Sequence, residues 1–226
     1  MGDMTLERER MVDEQLVRRG ISDPAVLDAM RRVPRELFVP PNLARHAYED
    51  SPLPISLGQT ISQPYIVALM VEALELHPDD RVLEIGTGSG YAAAVIAEIA
   101  KDAYTIERHS ELAETARGRL ADRANVHLRH GDGTLGWPEA APFDAILVSA
   151  GGPDVPEPLR QQLAPGGRLV IPIGSTTRLQ VLIRLRRLAG GRWEREELAD
   201  VTFVPLIGEK GWRVRNGPPD SSPGRG

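Results

Sequence analysis

The feature that most constrains the fold of this chain is the glycine-rich stretch VLEIGTGSGY at residues 82–91. A short apolar run leads through Glu84 into three glycines on alternate positions, and an alanine-rich segment follows. This order predicts a buried strand, a tight turn and the beginning of a helix. In open α/β sheets, such a turn at the carboxyl end of a strand is a usual place to bind a nucleotide-like ligand.

Strand and helix patterns alternate after this stretch, as in a doubly wound α/β fold. Parallel strands are predicted at residues 81–85, 103–107, 126–129, 145–149 and 168–173, and helices at 90–100, 110–120 and 157–163. Antiparallel strands are predicted at residues 180–188 and 201–206, joined by a turn at Gly190-Gly191. The sequence therefore predicts a mostly parallel sheet that ends in antiparallel strands.

The residues before the sheet are predicted to form an addition of helices and a loop. Helices are expected at residues 6–19, 24–33 and 65–76. Gly20 suits the end of the first helix and Asp23 the cap of the second. Residues 40–63 are rich in proline but contain apolar side chains, so we expect an ordered loop packed on the domain.

The expected domains are residues 1–78, packed on a catalytic domain of residues 79–215, and a disordered tail at residues 216–226. The net charge of −5 argues against nucleic-acid binding. No apolar run approaches the length of a membrane span, so no membrane partner is expected. The absence of cysteine and the scattered histidines predict no metal site. We expect a cytoplasmic, monomeric protein.

Three kinds of ligand site share this architecture. A phosphate-binding P-loop needs a lysine after its glycines, but the chain's two lysines, Lys101 and Lys210, lie elsewhere. A dinucleotide site needs the spacing Gly-x-Gly-x-x-Gly, but here the third glycine, Gly90, comes one residue early. Glu84 would also repel a pyrophosphate. The pattern Glu-x-Gly-x-Gly-x-Gly suits a ligand with a positive centre and no phosphate, such as S-adenosyl-L-methionine.

Two further acidic residues follow the next two predicted strands. Glu107 ends the second strand, where an acid pairs with ribose hydroxyls, and Asp132 follows the third, where it could accept a hydrogen bond from the adenine amino group. A structural interpretation is also open, with Glu84 as a strand-end carboxylate bonded to backbone amides and Asp132 as a turn former. Because all three acids surround one glycine turn, ligand binding is the favoured interpretation.

Five segments of the chain are characteristic: GQTISQP (58–64), VLEIGTGSGY (82–91), HGDG (130–133), PFDAI (142–146) and FVPLIGEKGW (203–212). They resemble the protein-L-isoaspartate (D-aspartate) O-methyltransferase family. The similarity extends from about Met11 to Trp212, and TISQP is specific to this family rather than to methyltransferases in general.

This resemblance implies a Rossmann-like S-adenosylmethionine-dependent methyltransferase fold and a carboxyl methyltransferase activity. The family methylates the free α-carboxylate of L-isoaspartyl residues, which are damage products of asparagine and aspartate, and D-aspartyl residues are a further candidate. The methyl ester cyclises to a succinimide that reopens partly to aspartate, so the implied partners are isoaspartyl-containing proteins and peptides. A relative dedicated to an aspartate in one peptide is an alternative, to which the unusual Gly151-Gly152 points. A non-catalytic binding module is another.

The resemblance also implies roles for individual residues. Ser62 matches the active-site serine, although a serine ahead of Pro64 also suits a helix cap, and both roles remain open. The implied cofactor contacts are Thr60, Glu84, Gly86, Thr87, Gly88, Gly90, Glu107, Asp132 and Gly133. The implied lining of the peptide site is Tyr48, Leu53, Pro54, Ile55, Val204, Pro205 and Leu206.

The predicted reaction requires little acid–base chemistry. Its nucleophile is a carboxylate that is already ionised at neutral pH, so no general base is needed. Catalysis can come from holding oxygen, methyl and sulfur in line at near-attack distance. We expect Ser62, together with Thr60 and nearby amides, to hydrogen-bond the carboxylate and aim it.

Overall fold

The computed structural model describes residues 4–175 and 179–213, with a seven-stranded sheet at its centre. The strands are β1 (Leu53–Pro54), β2 (Thr60–Ile61), β3 (Arg81–Ile85), β4 (Asp102–Glu107), β5 (Val126–His130), β6 (Phe143–Val148), β7 (Leu163–Ile173), β8 (Gln180–Arg187) and β9 (Trp193–Val201). The helices are α1 (Thr5–Met11), α2 (Pro24–Arg32), α3 (Pro64–Ala73), α4 (Tyr91–Ala97), α5 (Ser110–Arg119) and α6 (Glu157–Gln162).

The sheet order β5-β4-β3-β6-β7-β8-β9 places β3 in the interior. β3 pairs in parallel with β4 and β6, and the pairs β4–β5 and β6–β7 are also parallel. β8 and β9 are antiparallel to their neighbours. The predicted doubly wound, mostly parallel sheet with antiparallel strands at its end is therefore confirmed. From β3 the chain adds β4 and β5 on one side and then crosses over to β6 on the other side of β3. The carboxyl end of β3 is therefore a topological switch point, where ligands bind in such sheets.

The predicted strand at residues 201–206 is wrong. β9 ends at Val201, and residues 202–212 leave the sheet as a segment that we call the strap. β9 is an edge strand with mostly exposed side chains, so its charged sequence carries no hydrophobic alternation. Phe203 and Leu206 of the strap are buried, which explains why this segment contains the apolar residues that led to the prediction of a strand. The other predicted strands and helices are present, with ends shifted by at most five residues.

The predicted N-terminal helices are confirmed. The first continues from α1 through a π-helical turn at Val12–Leu16 and a 3-10 turn at Val17–Arg19, and Gly20 ends it with a φ of 97°. Asp23 caps α2 by accepting a hydrogen bond from the Ala25 backbone N–H at 2.8 Å. The capping side chain supplies an acceptor that the first turn of a helix lacks.

The proline-rich loop is ordered, as predicted. Its central part folds back as the β1–β2 hairpin, in which Leu53 is paired with Ile61 and both are buried. Leu57, at the tip of the hairpin, has a φ of 60° and is half exposed. The hairpin brings residues 60–64 to the carboxyl end of the sheet, immediately before α3.

One apolar cluster joins the N-terminal layer to the α/β sheet. The cluster includes Met30 and Phe38 from the N-terminal layer and Tyr91 from α4. The rings of Phe38 and Tyr91 lie edge to face, with their centres 5.6 Å apart. Arg35 is completely buried beside them, with its guanidinium carbon 4.9 Å from the centre of the Tyr91 ring. Its Nε donates to the Ala47 carbonyl at 2.8 Å, and burial lowers its pKa to about 10. The aromatic face partly compensates the buried cation.

Two sequence-based expectations concern the ends and the surroundings of the chain. The predicted disordered tail at residues 216–226 lies outside the described residues, and the division at residue 78 stays a prediction. None of the helices within the described ranges is both long and apolar enough to span a membrane.

Candidate functional site

The glycine turn joins the carboxyl end of β3 to α4. Gly86, Gly88 and Gly90 have φ values of 91°, 54° and 92°, a left-handed conformation that residues with a Cβ rarely adopt. The turn is held by a bond from the Gly86 N–H to the Ile106 carbonyl at 2.9 Å. Gly90 also packs closely, because a Cβ there would lie 3.1 Å from the Leu120 side chain. The alternate glycines are therefore required by the backbone.

Two adjoining cavities lie beside this turn. The inner cavity is lined by the turn, by residues at the ends of β3 and β4, and by the strap. The outer cavity is lined by the end of β7, the start of β8, the end of β9 and the beginning of α3. The residues common to both walls are Thr60, Ser62, Ser149 and Val204.

Glu84 is a buried carboxylate in the wall of the inner cavity. Its Oε2 accepts a hydrogen bond from the Thr105 hydroxyl at 2.6 Å, and the Thr87 hydroxyl lies 2.6 Å from that of Thr105. Because Thr105 donates to Glu84, the shared proton of the second bond must come from Thr87. The other carboxylate oxygen, Oε1, is buried and has no hydrogen-bond partner among the described residues.

Burial raises the pKa of Glu84 from its usual 4.5 to about 8; the Thr105 bond opposes this shift and the nearby Glu107 charge adds to it. A buried carboxylate with an unpaired oxygen is costly unless a cation lies beside it. The predicted structural role for Glu84, bonded to backbone amides, is not what the structure shows. Its position suits the positive charges of a bound ligand.

Glu107 holds the glycine turn from the end of β4. Its Oε2 accepts a bond from the Gly88 N–H at 2.8 Å, and its Oε1 accepts one from the His109 N–H at 2.9 Å. The carboxylate lines the inner cavity, and each oxygen retains a lone pair for a further donor. This is compatible with the predicted contact to ribose hydroxyls.

Asp132 is not among the residues that line the inner cavity, whereas its neighbour Gly133 is. The Oδ1 atom of Asp132 accepts bonds from the Thr134 N–H at 2.9 Å and the Thr134 hydroxyl at 2.7 Å, and its Oδ2 accepts one from the Glu209 N–H at 2.7 Å. Asp132 therefore holds the strap, and the contact with adenine stays a prediction. At Gly133, a Cβ would lie 2.4 Å from the Ile85 side chain, so this position requires glycine.

Ser62 is half buried and lies in the wall shared by the two cavities. The predicted alternative, that it caps α3, is wrong, because Gln63 occupies the cap position and no side chain bonds there. Because Pro64 is the first residue of the helix, the cap position falls on Gln63, and Ser62 lies one residue outside it. Thr60 is exposed in the same shared wall. Both hydroxyls are therefore accessible to a ligand.

Val204, Pro205 and Leu206 of the strap all line the inner cavity, and Val204 also lines the outer one, so their role in the peptide site stays a prediction. The strap is fixed to the residues after β6: the Gly151 N–H donates to the Val204 carbonyl and the Leu206 N–H donates to the Gly151 carbonyl, both at 2.8 Å. A Cβ at Gly151 would lie 2.4 Å from the Gln180 amide. Close packing thus accounts for the unusual Gly151-Gly152 sequence.

The structure does not support four of the predicted peptide contacts. Leu53 and Pro54 line neither cavity, and Tyr48 is buried with its hydroxyl donating to Glu36 and accepting from Arg8. Ile55 also lies outside both walls, although its side chain packs near Gly88. Tyr48 and Leu53 are buried and pack the loop against the domain, whereas Pro54 is exposed.

Ser149 was not predicted from the sequence. It follows β6, the neighbour of β3, so its position at a carboxyl strand end beside the switch point was the available signal.

Within the described ranges, no group of three or more histidine, aspartate or glutamate side chains could hold a metal ion.

The inner cavity fits S-adenosylmethionine better than a phosphate ligand. Glu84 offers an unpaired carboxylate oxygen to a cation, and the glycine turn allows close backbone approach. Among the described lining residues, Arg108 is the single lysine or arginine, which is a poor set for a pyrophosphate.

Comparisons with known proteins agree with this site. The model of the family "Protein-L-isoaspartate(D-aspartate) O-methyltransferase (PCMT)" matches residues 6–211. A Pelobacter propionicus protein named protein-L-isoaspartate O-methyltransferase 2 is 61% identical over 207 residues, 91% of this chain and 92% of its own. A Marinobacter nauticus protein of the same name is 60% identical over 213 residues, 93% of this chain and 97% of its own.

Solved structures show the same similarity. One protein-L-isoaspartate O-methyltransferase has a TM-score of 0.79 at 31% identity and covers 90% of this chain and 67% of its own. A putative Plasmodium falciparum enzyme of this kind, in complex with S-adenosyl-L-homocysteine, has a TM-score of 0.77 at 28% identity, covering 88% and 98%. With a family match over most of its length and relatives near 60% identity, this chain belongs to the protein-L-isoaspartate (D-aspartate) O-methyltransferase family.

Proposed function

We propose that the inner cavity binds S-adenosylmethionine, that the outer cavity binds the isoaspartyl peptide, and that Ser62 aims the substrate carboxylate between them. The protein is an S-adenosylmethionine-dependent carboxyl methyltransferase that acts on isoaspartyl residues of damaged proteins. The residue roles within that reaction are the proposed part.

The observation that carries this proposal is the shared wall. Thr60, Ser62, Ser149 and Val204 line both cavities, so a donor in one and an acceptor in the other would meet at these residues. A methyl transfer needs such a meeting point, because the attacking oxygen must approach the methyl carbon in line with the bond that breaks.

The chemistry needs positioning rather than proton transfer. When bound, S-adenosylmethionine would supply a methyl group on a positively charged sulfur; the carboxylate oxygen bonds to the methyl carbon, the carbon–sulfur bond breaks, and the rest of the cofactor leaves as a neutral thioether. The Ser62 hydroxyl donates a hydrogen bond to that carboxylate and fixes its direction. Glu84, whose Oε1 is buried without a partner among the described residues, lines the inner cavity and would hold the donor's positive charge. Holding these groups at near-attack distance can contribute several kcal/mol, up to about 10.

Paired peptides test the activity directly. We expect methyl transfer to an isoaspartyl peptide and none to its aspartyl isomer, measured by methanol release from the labelled ester. Equal rates on the two isomers would refute the assignment.

A variant tests the role of Ser62. Ser62→Ala should lower kcat about tenfold to hundredfold, because it loses one hydrogen bond to a charged group, with the Kd of S-adenosylmethionine unchanged. A large loss of cofactor binding would instead place Ser62 in the cofactor site.

The alternative of an enzyme dedicated to one peptide has no structural support. Its sequence hint, Gly151-Gly152, is explained by the packing of Gly151 against Gln180 and the strap. The named relatives are protein-L-isoaspartate O-methyltransferases over nearly their whole length. A non-catalytic binding module is also disfavoured, because Ser62 and Glu84 lie in the cavity walls with free hydrogen-bonding atoms.

We further propose that the protein acts as a cytoplasmic monomer without nucleic-acid or membrane partners. The net charge of −5 supports the first exclusion, since nucleic-acid binders carry a basic surplus. Light scattering coupled to size exclusion should give the mass of one chain, 24.7 kDa. A dimer mass would refute the monomer.

A further inference from the structure

Three residues that carry a hydroxyl group line the wall that the two cavities share. Thr60 and Ser62 belong to one segment, at β2 and just before α3. Ser149 comes from a different part of the fold, directly after β6. The two segments therefore approach the meeting point of the cavities independently. A carboxylate has two oxygens, each able to accept hydrogen bonds from its own direction.

Ser149 is held rigidly beside the glycine turn. Its N–H donates to the Ile85 carbonyl at 2.8 Å, which continues the pairing of β6 with β3. A Cβ placed on Gly86 would lie 3.6 Å from the Cβ of Ser149, which is ordinary van der Waals contact. The backbone of Ser149 is therefore fixed at the point where a methyl donor on the turn would face the outer cavity.

The Ser149 hydroxyl is available to a ligand. Across residues 4–175 and 179–213, no protein group hydrogen-bonds the hydroxyl of Ser149 or of Ser62, and both residues are half buried. The neighbouring hydroxyls differ in this respect. Those of Thr87 and Thr105 are joined to Glu84, and the Ser89 hydroxyl accepts a bond from the Tyr91 N–H.

The outer cavity offers few other donors for an anion. No lysine or arginine occurs among the described residues that line it, and Asp200 is its charged side chain. Among the described residues of the shared wall, the donors that could hold a carboxylate are therefore neutral. This suits the chemistry, because hydroxyl groups can orient the nucleophile without the strong ground-state stabilisation that a cation would give.

We infer that the Ser149 hydroxyl donates a second hydrogen bond to the α-carboxylate of the isoaspartyl substrate, from a direction different from that of Ser62. This inference rests on the proposed function of the two cavities. Ser149 thereby contributes to the choice of acceptor, because a carboxylate held at both oxygens has one orientation relative to the methyl group.

The test compares Ser149→Ala with the native enzyme on an isoaspartyl peptide at saturating S-adenosylmethionine. We expect kcat/KM for the peptide to fall about tenfold to hundredfold, as for one lost bond to a charged group. The Kd of S-adenosylmethionine, measured by calorimetry, should stay within about twofold. Ser22→Ala is the matched control, because Ser22 is exposed and lies outside both cavities, and it should behave like the native enzyme.

Two conservative variants separate hydrogen bonding from packing. Ser149→Thr keeps the hydroxyl and should retain most of the activity. Ser149→Cys keeps the size but offers only a weak donor, so it should show the loss seen for alanine. These variants also give the answer if Ser149→Ala fails to fold.

Three results would overturn the inference: an unchanged kcat/KM in Ser149→Ala, a cysteine variant as active as the native enzyme, or a loss that disappears when the S-adenosylmethionine concentration is raised far above its Kd for the variant. The last would place Ser149 in the cofactor site. A native enzyme that fails to methylate the isoaspartyl peptide would refute the proposed function instead, so the two failures are distinguishable.

Discussion

The buried Glu84 carboxylate makes cofactor binding depend on pH. Its pKa of about 8 means that the carboxyl group is mostly protonated in the free protein at neutral pH. The positive charges of S-adenosylmethionine favour the ionised form, so binding must release the proton. The apparent affinity therefore rises with pH below 8 and levels off above it.

The magnitude follows from the size of the shift. At pH 6.5, about 1.5 units below the pKa of Glu84, removal of the proton costs about 2 kcal/mol and weakens binding about thirtyfold relative to the plateau. At pH 7.5 the factor is about fourfold. The apparent Kd should therefore fall about eightfold, by about 1.2 kcal/mol, between pH 6.5 and pH 7.5.

Calorimetry measures both the affinity and the proton. Titrations at pH 6.5 in two buffers of different ionisation enthalpy should show about one proton released for each S-adenosylmethionine bound, falling towards zero above pH 9. Glu84→Gln is the matched control, because glutamine can still accept the Thr105 hydrogen bond but does not ionise in this range. The ligand's own amino group has a pKa of about 8, so at pH 6.5 it is already protonated in the free ligand and contributes little to the proton released.

The comparison gives a clear refutation. If Glu84→Gln shows the same pH dependence as the native protein, or if no proton is released at pH 6.5, Glu84 does not face the cation. We also expect Glu84→Gln to bind S-adenosylmethionine at least a hundredfold more weakly at pH 8.5, where the native carboxylate is ionised.

Three further predictions concern stability and steric fit. The pKa of Glu84 is raised in the folded state, so its contribution to the stability of the free protein is present below pH 4.5 and is lost as pH rises to about 8. Thermal melting should therefore show that the native protein loses stability between pH 6 and pH 8 relative to Glu84→Gln. Gly133→Ala should destabilise the fold by about 1–3 kcal/mol and weaken cofactor binding, because the new Cβ would overlap Ile85. Gly118→Ala is the control and should have neither effect, because a Cβ at Gly118 has no neighbour within 4 Å. Equal melting temperatures of the two variants would contradict this prediction. Asp132→Ala removes three hydrogen bonds and should lower the free energy of unfolding by about 3 kcal/mol and speed proteolysis within the strap; an unchanged cleavage rate would contradict its role there.

The centre of the fold could be predicted because its signals are local. The strand, the glycines and the following helix each obey rules of periodicity and backbone conformation within about ten residues. The rule that ligands bind at carboxyl strand ends then located Glu84 and Glu107 correctly in the inner cavity. Their charge and spacing also indicated a cationic ligand rather than a phosphate.

The errors arose where the signal depends on distant parts of the chain. Tyr48 and Leu53 are apolar whether they line a cavity or pack a loop, so the sequence could not distinguish the two. Asp132 meets Glu209, which is 77 residues away, and this contact is invisible until the strap is placed. Ser149 becomes significant only when β6 is known to lie beside β3.

The buried Arg35 has a consequence for how this molecule can be divided. Its guanidinium lies over Tyr91, the first residue of α4, and the surrounding apolar cluster contains side chains from both the N-terminal layer and the sheet. Removal of that layer would expose one side of α4 to water and leave the glycine turn without its support. We therefore expect residues 79–215 alone to be no autonomous folding unit, so that any shortened or chimeric enzyme must carry Arg35 and its partners together.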